Sequence, residues 1–421
     1  MHPHTHVARK VFKSYTKYDK ATKLTLKIQL DRPKVMHPVR EKFVCLDPKK
    51  KKHAVVETSL SQIGSIDWLK FVPMALKDFP ETAERADVAL RSATKVPRNS
   101  IAMLLKKFLL SKQYNWSRRY FEENNTTVAV VWNGLNGSRR VFMDGARDAG
   151  ARTLFFELSP LKNRVTIDPN GVNFMNYLSR NAQAYVDWGA NRGSDAWRQI
   201  RSTITARSGS KTFGGPNTAK SLSEPFIFLP LQVPGDSQMR LFGGRHRTLD
   251  QVIDAVVAAS HFLPENWYIR VKEHPSAEIS YAEQIRALNN PRIILDNSTD
   301  TFSQVEASMA VLTVNSSVGL EAMFFDKPVI AMGDCFWALP GVAEHCPTHE
   351  KLVALFSSVE TLQFDQRARH GFLGYLVDEY YPRLDHYNES GLLHHDEVAK
   401  IKSRLGAVER VPTAKILEPL N

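Results

Sequence analysis

The feature that most constrains this chain is a regular alternation of short apolar runs and helix-like segments. Runs at 226–231, 267–271, 292–295, 310–314 and 328–332 are each bounded by turn residues. Short apolar runs of this kind read as buried strands. Between them, Leu249, Val252, Ile253, Val256 and Val257 share one helical face, and 317–325 reads as a second helix. Repeated βα units predict a parallel, doubly wound sheet with helices on both faces.

A similar unit begins earlier. A β-branched run at 127–132 predicts a buried strand. The turn Asn133-Gly134-Leu135-Asn136-Gly137 follows, then a helix at 138–149 that Gly150 can end. A strand at 151–158 carries Glu157 near its end. Such a βαβ unit is right-handed. At 421 residues the chain exceeds one ordinary core, so two domains are expected. Residues 207–224 are rich in Ser, Gly, Lys and Thr without apolar pattern, as a linker is. The expected division is therefore an N-terminal domain at 1–215, a C-terminal α/β domain at 216–350, and helices with a polar tail at 351–421.

Three further stretches carry a pattern. Leu24, Leu26, Ile28 and Leu30 alternate with Thr25, Lys27 and Gln29, as in a half-buried strand. Pro48-Lys49-Lys50-Lys51-Lys52 is a basic turn. Residues 101–120 interleave Met103, Leu104, Leu105, Phe108, Leu109 and Leu110 with Lys106, Lys107, Lys112, Arg118 and Arg119. As a helix this has an apolar and a basic face. It suits either an anionic membrane surface or a surface helix packed on its own core, and the second is the expectation.

A content of 43% hydrophobic and 24% charged residues is that of a globular chain. The net charge of +12 fits either an anionic partner or a plainly solvated basic surface. With no RNP-like, zinc-finger or helix-turn-helix pattern, nucleic acid is not the expected partner. Cys45, Cys335 and Cys346 are too scattered for a disulfide framework or a zinc site, which points to a reducing cytoplasm. Met1-His2-Pro3-His4-Thr5-His6 lacks the apolar core of a signal peptide, and no apolar run is long enough to span a bilayer. The expected location is cytoplasmic, soluble or peripheral at the inner membrane.

Ligands of open α/β sheets bind beyond the carboxyl ends of the strands, and three strand ends here are polar. The first is Gln232-Val233-Pro234-Gly235-Asp236-Ser237-Gln238. Asp236 is placed to act as base or nucleophile, or to cap the turn or a following helix. The second is Lys272-Glu273-His274-Pro275. Lys272 and His274 share strand parity and suit a phosphate or carboxylate, or form a solvated strand end. The third is Asn315-Ser316-Ser317-Val318-Gly319-Leu320-Glu321. Hydroxyls at a helix N-terminus favour an anion, Gly319 permits close approach, and Glu321 suits ribose hydroxyls. The plainer account is a helix cap by Ser317. No Walker A, strand-borne GxGxxG, HExxH or GxSxG pattern occurs, so no P-loop, dinucleotide, metal or serine-hydrolase site is expected.

Together these blocks resemble the capsule polysaccharide biosynthesis/export family, which includes bacterial β-Kdo transferases. The resemblance rests on 228–238, on Lys272-x-His274-Pro275, and on Asn315-Ser316-Ser317-x-Gly319-x-Glu321-Ala322 with Lys327-Pro328-Val329. It also takes in Thr166-Ile167-Asp168-Pro169-x-Gly171-Val172-Asn173, and spans roughly 127–333. It implies a GT-B-like α/β fold, two Rossmann-type domains with a crevice between them. It implies a glycosyltransferase that takes CMP-β-Kdo as donor, with no other cofactor and no metal, and a glycan or lipid-linked acceptor. By that resemblance Asp236 is the catalytic carboxylate, a nucleophile in a retaining double displacement, and Gln232, Ser237 and Gln238 belong to its loop. Lys272, His274, Asn315, Ser316, Ser317, Gly319 and Glu321 serve the donor, and Glu157 acts as base. Asn133 and Arg164 orient the acceptor or the donor carboxylate. The competing function is a non-enzymatic export or assembly factor that binds glycan or lipid.

Overall fold

The computed structural model describes residues 43–46, 73–124, 128–192, 195–205, 222–386 and 394–407. The strand expected at 24–30, the basic turn at 48–52 and residues 207–221 of the expected linker lie outside the described residues. Contacts divide the chain into two compact units. The first holds Met1–Ser159, Asn163–Tyr177 and Tyr381–Asn421; the second holds Pro160–Lys162 and Leu178–Tyr380.

The second unit carries the alternation. Its strands are β5 (Phe226–Pro230), β6 (Tyr268–Lys272), β7 (Ile293–Leu295), β8 (Ala310–Thr313), β9 (Val329–Ala331) and β10 (Glu344–His345). They form one sheet in the order β10-β9-β8-β5-β6-β7, every pair parallel. The chain builds outward from β5 to β7, then returns to β8 on the other flank of β5. That order is doubly wound, and its switch point lies between β5 and β8. The helix expected after β5 is Leu249–Ser260, begun by a full Thr248/Gln251 capping box. Its Val252, Ile253 and Val256 pack on Ile227, Leu229, Ile269 and Leu312 of the strands. The short helix Ser237–Phe242 precedes it, and Ser317–Met323 follows β8.

The first unit has a smaller sheet in the order β1-β2-β3-β4. Here β1 is Phe43–Leu46, β2 Val128–Trp132, β3 Thr153–Leu158 and β4 Val165–Asp168. The first three are parallel, while β4 runs antiparallel to β3. Between β1 and β2 stand the helices Thr82–Ser92 and Ser100–Glu123, and between β2 and β3 the helix Gly137–Asp148. Both sheets thus bear out the α/β class and its two Rossmann-type units.

Composition suggests a division at 215/216, whereas contacts follow packing. Helix Gln183–Arg192 lies against helix Gln366–Tyr375, where Gly189 meets Gly371 so closely that a Cβ on Gly189 would stand 3.1 Å from the Gly371 Cα. Tyr185 adds edge contacts to Phe372 and Tyr375. At the other end, the helix His395–Ala407 sends Ile401 into the first unit's core beside Val128, Leu154 and Ile167. Interior contacts of this kind outweigh chain order, because burial follows space and not sequence.

Candidate functional site

The densest polar cluster of the second unit lies at its switch point. β5 ends at Pro230, and the chain turns through Gly235, whose φ of +76° suits a residue without a Cβ. Gln232 in that turn is buried at 6% exposure. Its Oε1 accepts the Asn315 backbone N–H (3.2 Å), and its Nε2 donates to Asn315 Oδ1 (3.1 Å). A backbone N–H can only donate, so it fixes which end of the Gln232 amide is oxygen. Asn315, just past β8, donates from Nδ2 to the Gln238 carbonyl at 3.0 Å. One reciprocal amide clasp therefore ties the β5 and β8 ends together.

Asp236 sits against this clasp, half-buried. Its Oδ1 accepts the Gln238 N–H at 2.7 Å and caps the helix Ser237–Phe242. Its Oδ2 meets Gln232 Nε2 at 3.4 Å, a long contact. The two expectations for Asp236 are thus compatible. One oxygen holds the helix, while the other has acceptor capacity left over.

The third strand end is built differently from its expected form. Ser316, not Ser317, is the helix cap: its hydroxyl accepts the Val318 N–H at 3.3 Å. Gly319 N–H is taken by the Ser316 carbonyl at 3.1 Å. The expected row of open amides is therefore partly closed, and the Ser317 N–H and the two hydroxyls are the groups best placed for an anion. Gly319 makes room for a ring and not for a ligand. A Cβ there would stand 2.6 Å from the Trp337 ring and 2.9 Å from Thr313 Cγ2. Glu321 is buried, and Ser317 Oγ donates to its Oε2 at 3.4 Å.

The second strand end corrects the reading of Lys272. Its ammonium is half-buried and donates to the carbonyls of Asn297 (2.7 Å) and Thr299 (2.8 Å). Burial lowers its pKa. The group holds the loop after β7 instead of standing ready for a phosphate. Glu273 beside it is also committed: it takes Asn297 Nδ2 at 2.6 Å and Ser280 Oγ at 2.9 Å. Beneath lies a buried ion pair. Arg270 Nη2 and Nε reach Asp296 Oδ2 at 2.6 and 3.1 Å. Burial works to raise the Asp296 pKa, but hydrogen bonds from Thr299, Ser298 and Arg270 outweigh it and hold the carboxyl well below the usual range. A lone arginine within the apolar run 267–271 was the signal for this pair, since a buried guanidinium requires an acid. His274 Nδ1 accepts the Ser276 N–H at 3.1 Å, which places the neutral ring's hydrogen on Nε2.

Sequence reasoning passed over His246. It is buried, with Nδ1 3.2 Å from the Met332 carbonyl just past β9, and burial lowers its pKa.

In the first unit, Asn133 holds a left-handed φ of +66° at the end of β2 and donates from Nδ2 to Glu157 Oε2 at 2.7 Å. Leu158 N–H donates to Glu157 Oε1 at 2.9 Å. Burial raises the Glu157 pKa, offset in part by the Asn133 hydrogen bond. A carboxylate so shifted is a stronger base once ionised. Arg164 does not join this pair. It is buried, and its Nη1 donates to the Tyr381 carbonyl at 2.8 Å, fastening the returning C-terminal segment to the sheet. Asp168 of the same block is fully buried and gathers the N–H groups of Asn170, Gly171 and Tyr177, so this block is a folded turn. Among the described residues, His394, His395 and Asp396 place one donor atom each within 4.8 Å of one another, and the two latter are exposed.

The fold and this strand-end cluster define a two-unit α/β protein with a ligand-type switch point. Residues 170–363 match the family model described as "Capsule polysaccharide biosynthesis protein". The matched residues contain the Gln232–Asn315 clasp and Asp236; Asn133 and Glu157 lie before them. Protein FixF of Sinorhizobium fredii is 27% identical over 345 residues, 77% of this chain and 82% of that protein. The capsule polysaccharide export protein KpsS of Escherichia coli is 24% identical over 169 residues, 38% of this chain and 42% of that one. Among solved structures, the beta Kdo 2,4 transferase of Thermosulfurimonas dismutans KpsC is similar at 18% identity and a TM-score of 0.39, covering 65% of this chain and 86% of that one. Among the described residues no helix is long and apolar enough to cross a membrane.

Proposed function

We propose that this protein is a glycosyltransferase that moves Kdo from CMP-β-Kdo to a glycan or glycolipid acceptor in capsule synthesis. The observation that carries this reading is the Gln232–Asn315 clasp at the switch point, which holds one Asp236 oxygen beside the helix cap. In this reading Asp236 Oδ2 attacks the anomeric carbon of Kdo as the bond to the CMP phosphate breaks and CMP leaves with the electron pair. A carboxylate near an oxocarbenium-like centre both stabilises and traps it. The acceptor hydroxyl then attacks the same carbon, Glu157 takes its proton, and the bond to Asp236 breaks. Two inversions retain the configuration. His274 Nε2–H, the Ser316 and Ser317 hydroxyls and the Ser317 N–H meet the leaving phosphate.

The test is a calorimetric titration of the protein with CMP, UMP and GMP. Selective CMP binding, lost in His274→Ala, is the expected result. No nucleotide binding would overturn the transferase reading. It would favour instead a glycan-binding export or assembly factor, as the name of the KpsS relative suggests.

A further inference from the structure

Helix Ser100–Glu123 departs from its sequence-based expectation in a way that points to a partner. Its inward side is conventional: Leu110, Tyr114, Ser117 and Phe121 are buried at helical spacing. The opposite side was expected to be basic and solvated. Instead Ile101, Leu104, Leu105, Phe108 and Leu109 lie there, between 42% and 77% exposed. Their spacing of three, four, seven and eight residues makes one continuous stripe. Leu76 and Val96, before the helix in the chain, are also exposed. The first half of the helix thus carries an uncovered apolar stripe on its outward side, and an apolar helix face of this length is normally covered.

The charges around the stripe say what covers it. From Lys95 to Tyr120 the sequence holds no Asp or Glu, but it holds Lys95, Arg98, Lys106, Lys107, Lys112, Arg118 and Arg119. Lys107 and Lys112 are ion-paired to Asp87 and Asp78 at 2.7 and 2.9 Å. Lys106 is tied to the Lys95 carbonyl. Lys77 is exposed, as are Lys95 and Arg98 in the segment that leads into the helix. A second copy of the chain would bring cations of the same sign face to face. A stripe of branched aliphatic side chains and one phenylalanine, rimmed by cations, fits the acyl–headgroup boundary of an anionic lipid layer. Past Leu109 the outward side is covered again, with Trp116 buried.

We propose that the exposed stripe Ile101–Leu109 with its lysine and arginine rim docks the protein on an anionic membrane. This is independent of the nucleotide site. The test is co-sedimentation of the intact chain with phosphatidylcholine vesicles, with and without phosphatidylglycerol. Binding should require phosphatidylglycerol and weaken as salt rises. Replacing Leu104, Leu105 and Phe108 together by Ser should weaken it about tenfold or more. A second variant, Lys95→Glu with Arg98→Glu, should lower the preference for anionic vesicles and leave nucleotide titration unchanged. Absence of vesicle binding, equal binding by the serine variant, or a dimer that the serine variant dissolves would each overturn the proposal. The first would show the stripe covered from within the chain or by a protein partner, and the last would show it covered by a second copy.

Discussion

Two polar strand ends of the same sheet look alike in sequence and differ in their remaining bonding capacity. At β6 and β7 every charge is committed inward: Lys272 to two carbonyls, Glu273 to Asn297, Asp296 to Arg270. At β5 and β8 the amides are committed to each other, and they leave Asp236 with one oxygen at 3.4 Å from its nearest partner. The first arrangement is a brace and the second a poised site. A polar group's chemistry depends on the hydrogen bonds it has left after folding, and position at a strand end is not enough.

The sharpest way to break this comparison is to alter each carboxylate in turn. Asp236→Asn keeps a good helix cap, so melting should change little. Sugar transfer should fall by about 10² to 10⁴-fold. Normal turnover would make Asp236 a cap and nothing more. Asp296→Ala should do the opposite. It strands Arg270 in the core and should cost about 3–5 kcal/mol in a urea titration, with nucleotide affinity of the folded fraction unchanged. The depressed Asp296 pKa also sets a sign. Its contribution is present above the ordinary carboxylate pKa and is lost as pH falls through the folded value. The wild type should therefore lose more stability on acidification than Asp296→Ala.

Glu157 extends the comparison to the first unit. Burial raises its pKa, and as the base of the proposed reaction it must be ionised to act, so on that proposal the acid limb of kcat/KM should lie above the usual glutamate range. Glu157→Gln should remove that limb; an unchanged limb would assign it to another group. The smallest effect belongs to Lys272→Met. It should cost about 1–3 kcal/mol of stability through the orphaned carbonyls. CMP affinity should stay within about twofold, since the ammonium already faces protein. A larger loss of affinity would move Lys272 back into the site.

Much of this fold is legible along the chain. The strands at 226–331 were marked by apolar runs, and the helix at 249–260 by its one-sided face and Thr248. Asp236 was conspicuous because a carboxylate follows a Pro-Gly turn after a buried run. What was not legible is which partners the polar residues would find. Ser316 displaces Ser317 as cap because the helix begins at Ser317 itself, one residue earlier than a Ser317 cap would place it. Gly319 serves Trp337, a residue eighteen positions away whose approach no local pattern announces. The exposed stripe on Ser100–Glu123 was hidden too, since an apolar residue looks the same in sequence whichever side of a helix is covered.

Local pattern along the chain sets the α/β class, strands β5 to β9 of the larger sheet and the loops that bear its polar groups, whereas β10 at Glu344–His345 carried no such pattern. Periodicity and turn chemistry are local, so they survive in one dimension. The tertiary structure alone decided the strand order, and with it the switch point that brings Gln232 to Asn315 across eighty-three positions. It also decided which charges are neutralised at home and which remain for a ligand. Hydrogen bonds and burial are satisfied through space, and a residue's capacity for chemistry is what that satisfaction leaves unused.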